Sequence, residues 1–293
     1  MIAALATRQG GLSRPGPGRE DIWARLTFGL PQDGKPYFES AALTGDRPKL
    51  HHPTDDHLVT LHDMRPLAPS LDHEGFELRR HETAVGDLYD DNAVAEIYDR
   101  EIEDLLKAMT GAIRVAVFDR TRRSDNPKGA VNPDGPRGPA GRVHVDYTAR
   151  SGPRRARDIL SGAEVDRVLA TGGRIAQVNV WRPITGPVRR APLALADAST
   201  VRAEDLIATD QIFPDRVGEI YQLSHAPHQR WYWAPEMERD EVLLIKGWDS
   251  LDDGRAQFTP HGAFDLPGQD PGAPARESIE VRAYLIFEGD HHD

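Results

Sequence analysis

In its second half the chain is a series of short β-branched and aromatic runs separated by turns, and this pattern limits the fold more than any other feature. The runs are Ile175 to Trp181, Leu193 to Ala196, Glu219 to Leu223, Arg230 to Trp233, Glu241 to Lys246 and Ile279 to Phe287, and each reads as a strand. The chain's 26 Gly and 23 Pro supply the turns between them. Strand, turn, strand with few helices predicts a mainly β protein with flanking helices, built on a double-stranded β-helix (jelly-roll) core.

Helices are expected in two places. From Asn92 to Met109, apolar residues at Val94, Ile97, Tyr98, Ile102, Leu105, Leu106 and Met109 form a stripe of helical period. Asp90, Asp91 or Asn92 is available as its N-cap and Gly111 as its stop. A second helix is predicted near 153 to 170. Ile113 to Phe118 reads as a strand, and 121 to 142 as a long Pro/Gly loop, which at that length is functional or disordered. Before Leu58 the pattern is weak. Residues 7 to 20 are Gly/Pro/Arg-rich without periodicity, and the pieces between 36 and 66 look like peripheral strands. The expected division is therefore 1–57 as an N-terminal extension packing on the core and 58–293 as the β-helix domain.

Composition removes whole classes of function. With no Cys among 293 residues, thiolate zinc sites, iron–sulfur clusters, disulfides and cysteine nucleophiles are all excluded. Any metal must be held by His, carboxylate and water. The formal charge of −11 argues against nucleic acid and anionic membrane surfaces as partners. Neither a membrane span nor a secretory leader is legible, so a cytoplasmic location is expected. The sequence leaves the oligomeric state open.

Alternate residues of a strand face the same way, so His144 and Asp146 project together from Val143-His144-Val145-Asp146-Tyr147. Two histidines and one carboxylate suit non-haem Fe(II), leaving open positions for a cosubstrate and O2. A third ligand is needed from His225, His228 or His261. His261 fits best, because it follows the apolar run Val242 to Ile245 and a polar turn. Downstream of it, Arg276 and Ser278 have the i, i+2 spacing with which a guanidinium and a hydroxyl grip one carboxylate. Arg282 shares their strand face by parity and is the rival clamp.

These segments resemble a known family. Val143 to Thr148, Asn179-Val180-Trp181-Arg182-Pro183, Pro192 to Asp197, His228-Gln229-Arg230-Trp231-Tyr232-Trp233, Asp240 to Leu244, Pro260 to Phe264 and Arg276 to Arg282 look like the hydroxylase/desaturase family that includes the cephamycin methoxylation component and gibberellin desaturases. The likeness runs from near Leu58 almost to the C-terminus.

The resemblance implies a Fe(II)/2-oxoglutarate-dependent dioxygenase that hydroxylates, desaturates or otherwise oxidises a small-molecule substrate in secondary metabolism. It implies His144, Asp146 and His261 as catalytic metal ligands and Arg276 with Ser278 as the cosubstrate clamp. Asn179 and Arg282 are assigned to cofactor binding, and Trp181, Arg182, His228, Tyr232 and Trp233 to the substrate pocket. Two other readings use the same barrel. One is a cupin-like metal enzyme that does not use 2-oxoglutarate, and the other is a non-catalytic partner subunit of an oxygenase. The clusters His51-His52 and His291-His292-Asp293 read as solvated loop and tail.

Overall fold

A computed structural model describes residues 21–45 and 48–289. The lead-in at 7 to 20 and the tail His291-His292-Asp293 lie outside the described residues. In chain order the elements are β1 (Ile22–Gly29), β2 (Tyr37–Glu39), α1 (Ala41–Thr44), β3 (Lys49–Leu50), β4 (Thr54–Asp63), β5 (Phe76–Arg80), α2 (Asp91–Ala93) and, after a π turn (Val94–Tyr98), α3 (Asp99–Thr110). Then come β6 (Arg114–Ser124), β7 (His144–Val145), α4 (Ser151–Leu160), α5 (Gly162–Ala170), β8 (Arg174–Pro183), β9 (Leu193–Ala196), β10 (Leu206–Ile212), β11 (Val217–Leu223), β12 (Trp231–Trp233), β13 (Glu241–Asp249), β14 (His261–Ala263) and β15 (Glu277–Phe287).

Two sheets face each other. One has the order β5-β13-β8-β15-β6, and the other runs β1-β4-β12-β9-β14-β7-β11-β10-β2-β3. This is the expected jelly-roll core with helices outside it. Strand β8 is buried on both faces, its apolar residues Ala176, Val178 and Val180 alternating with the buried polar side chains of Gln177 and Asn179. Ala176, Val178 and Val180 pack outward on Tyr98, Ile102, Leu105 and Leu106 of the long helix. On the inner face, Trp181 joins Phe76, Leu195, Tyr232, Leu243 and Ile245 between the sheets.

The long helix starts at Asp90, whose carboxylate accepts from the Asn92 and Ala93 N–H groups, and stops at Gly111 with φ 75°. The second expected helix is instead two, because Ser161 takes φ 77° between α4 and α5 and its hydroxyl caps α5 by accepting from the Glu164 N–H. β6 outruns its expected end at Phe118 by six residues. Its polar tail Asp119 to Ser124 has weak strand propensity of its own, and β15 alongside supplies the hydrogen bonds.

β4 is no peripheral strand, for it lies between β1 and β12. β1 pairs with β4 along its whole length, and the Val143 N–H donates to the Thr27 carbonyl. Ala24, Leu26 and Phe28 thereby cover Val143, Ala194, Ala196, Trp231 and Trp233 on the outer face of the larger sheet. The wall carrying β7, β9 and β14 is packed on both sides, and this rigidity holds its inward side chains in place.

Candidate metal and oxoacid site

Antiparallel pairing of β14 with β7 sets His261 directly opposite His144. Asp146 follows two residues later on the same face. The three side chains offer donor atoms that lie within 4.8 Å of one another. His144 Nε2 is 3.8 Å from Asp146 Oδ1, and the two imidazole centroids are 4.7 Å apart.

Each histidine has its tautomer fixed by the backbone. His144 Nδ1 donates to the Arg142 carbonyl at 2.8 Å and His261 Nδ1 to the Thr259 carbonyl at 2.9 Å. A carbonyl only accepts, so both Nδ1 atoms carry the proton and both Nε2 lone pairs are free to bind a metal. Burial, helped by neighbouring His261, pushes His144 down to about 3, which keeps it neutral.

Asp146 is held by its other oxygen. Asn179 Nδ2 donates to Oδ2 at 2.6 Å and Arg282 Nε at 3.1 Å, while Gln177 Nε2 fixes Asn179 by donating to its Oδ1 at 2.7 Å. Burial alone would raise this carboxyl, but the charge of Arg282 holds it well below the usual carboxylate range. Oδ1 is the oxygen that faces His144 Nε2 and could bind a metal ion. Outer partners of this kind change metal affinity by about 10–100-fold. Asn179→Ala is expected to weaken iron binding by roughly that factor, measured by anaerobic titration.

Arg276 is 2% exposed, and none of its three guanidinium nitrogens has a partner among the described residues. Its charge lies 5.7 Å from the Trp181 ring centroid, and buried Ser278 stands two residues on. Burial and then Arg123 lower its pKa to about 10, so it remains a cation at neutral pH. A buried, unpaired guanidinium is costly and calls for an anion opposite it. Arg282 differs, because Asp146, Asp119 and Glu280 all neutralise it.

Of the expected pocket residues, Trp181 and Tyr232 lie together between the sheets. The other three do not. Arg182 has the opposite strand parity and points under the long helix, donating to Tyr98 Oη at 2.8 Å, to the His81 and Arg239 carbonyls and to His81 Nδ1 at 2.6 Å. His228 pairs with Asp205 at 2.9 Å, and Trp233 packs edge-on to Phe264 in the outer layer.

The Arg182 contact leaves His81 with a bare Nδ1, and burial followed by Arg182 lowers its pKa to about 4. Unfolded, the same histidine titrates near 6.5. The stability it contributes is therefore complete above pH 6.5 and is lost as the pH falls through about 4. The thermal midpoint should decline over that acid limb. His81→Asn, which still offers Arg182 an acceptor, should flatten the decline.

Reading by residue type alone passes over three side chains. Gln177 secures Asn179, and Arg123 and Arg142 line the cleft that opens beside His144 and Asp146. Strand parity could have found Arg142, which lies two residues before His144.

The chain is similar to known proteins over most of its length. A family model described as an oxidoreductase/YMDC permease-like domain matches residues 26–287. No described helix is long and apolar enough to cross a membrane. The chain is 35% identical over 240 residues to the alpha-ketoglutarate-dependent dioxygenase phiK of a fungal species, spanning 78% of this chain and 83% of that one. It is also 35% identical over 240 residues to the hydroxylase/desaturase efuI of Hormonema carpetanum, spanning 75% and 79%. The solved structure of the iron and alpha-ketoglutarate-dependent endoperoxidase NvfI superposes with a TM-score of 0.79 at 28% identity, covering 92% of this chain and 99% of that one. The chain belongs to the hydroxylase/desaturase family of Fe(II)/2-oxoglutarate-dependent dioxygenases, enzymes that use Fe(II), 2-oxoglutarate and O2.

Proposed function

We propose that His144 Nε2, His261 Nε2 and Asp146 Oδ1 hold Fe(II), and that Arg276 and Ser278 bind the 5-carboxylate of 2-oxoglutarate. The observation that carries this reading is the buried Arg276 guanidinium without a partner among the described residues, set in the same barrel as two imidazoles and one carboxylate. The donor set suits ferrous iron, with open positions remaining. When bound, the iron supplies O2 activation coupled to decarboxylation of 2-oxoglutarate to succinate and CO2.

The protein's own part is positioning and exclusion of water. Thr259 and Arg142 carbonyls aim the imidazoles, and Asn179 with Arg282 fixes the carboxylate. Trp181, Leu195 and Tyr232 give the interior an apolar lining. The names of the relatives support oxidation of a small molecule by hydroxylation, desaturation or a related outcome, in secondary metabolism. The charge of −11 supports a reading in which neither nucleic acid nor an anionic membrane surface is a partner.

Anaerobic addition of Fe(II) and 2-oxoglutarate tests the reading. A weak visible charge-transfer band that needs both components is the expected result. A metal enzyme that does not use the oxoacid would bind iron without developing the band, and a non-catalytic partner subunit would bind neither.

A further inference from the structure

The cleft beside the metal ligands carries two cations, Arg142 and Arg123, that form no ion pair among the described residues. Arg142 lies two residues before His144 and so projects from the same face of the wall. Its Nε is buried without a partner, and its guanidinium lies over the Phe38 ring, 5.4 Å from the centroid. Arg123 enters from the facing sheet. It is opposite Ser278 in register and donates to the Gly138 carbonyl at 2.9 Å, with no ion pair among the described residues.

The acids nearby are already engaged. Arg282 takes Asp119 and Asp146, and Lys35 takes Asp210 and Glu219. Ten basic and eight acidic side chains line the cleft, so its local charge is positive in a chain whose net charge is −11. Such a cleft draws in anions. In the reading above, 2-oxoglutarate already occupies Arg276 with one carboxylate and the iron with the other end, leaving Arg142 and Arg123 for a different anion.

We propose that the substrate is a small carboxylic acid, its carboxylate held by Arg142 and Arg123 at the mouth while its apolar remainder reaches toward the iron. A guanidinium lying over an aromatic ring keeps its edge free, and that edge matches a planar carboxylate bidentately. The proposal rests on the iron and oxoacid reading of the site.

The test uses anaerobic enzyme loaded with Fe(II) and 2-oxoglutarate, titrated with 4-phenylbutyrate and with its neutral isostere 4-phenylbutanamide. Perturbation of the visible band and of tryptophan fluorescence reports binding. The carboxylate should bind roughly tenfold tighter or more, as a charge-assisted contact implies. Arg142→Met should remove most of that preference and Arg123→Met should weaken it, with the affinity for the amide unchanged in both. Equal or undetectable binding of the two probes by the wild type overturns the proposal, independently of how the variants fold. So does a loss of 2-oxoglutarate affinity in the variants, which would assign both arginines to the cosubstrate. If the wild type fails to bind 2-oxoglutarate at all, the reading of the site falls instead.

Discussion

Arg276→Met should lower 2-oxoglutarate affinity by roughly two to three orders of magnitude and, in the ligand-free protein, raise the thermal midpoint. Removing one partner of a buried, hydrogen-bonded charge pair costs about 2–5 kcal/mol, and each 1.4 kcal/mol or so is tenfold in affinity. The gain in stability has the same origin. With all three guanidinium nitrogens buried and unpartnered, the ligand-free protein carries a desolvation penalty of about 1–3 kcal/mol or more, and Met keeps most of the stem without the charge. Thermal melts with and without 2-oxoglutarate measure both effects. Arg276→Lys should fall between the two, since an ammonium retains the charge without the planar fork. Unchanged affinity in Arg276→Met would move the oxoacid's far carboxylate elsewhere.

His261→Ala and His144→Ala should each abolish succinate formation and reduce iron affinity by at least about 100-fold, the upper end of what outer-partner changes alone cost. Removing a direct ligand leaves one imidazole and one carboxylate, too few to hold ferrous iron against water. His228→Ala is the control that separates the two candidates for third ligand. Its imidazole is engaged by Asp205, so turnover and iron binding should match the wild type. Anaerobic iron titration and a succinate assay decide the matter, and a His261→Ala variant with wild-type turnover would remove that residue from the site.

How far the site could be read in advance depended on how local each signal was. His144 and Asp146 are two residues apart on a strand, so parity alone put them on one face. The same spacing suggested Arg276 with Ser278, and both side chains are buried. Arg182 was misread although parity was available, because its neighbours in the motif drew it toward the pocket while its alternation with Trp181 sends it under the long helix. His228 and Trp233 were misplaced because aromatic and imidazole side chains near a motif look alike whether they line a cavity or close an outer layer.

Local pattern determined the β-rich architecture, the long helix with its stop at Gly111, and the donor types a cysteine-free chain can offer a metal. These follow from periodicity, capping and side-chain chemistry, which act over a few residues. Tertiary structure alone decided that His261 lies opposite His144, that Arg282 is neutralised while Arg276 is not, and that β1 packs the outer face of the wall that carries His144 and His261. Those outcomes depend on strand register and burial between segments far apart in the chain, and a cation's need for a ligand becomes visible only once every other partner has been placed.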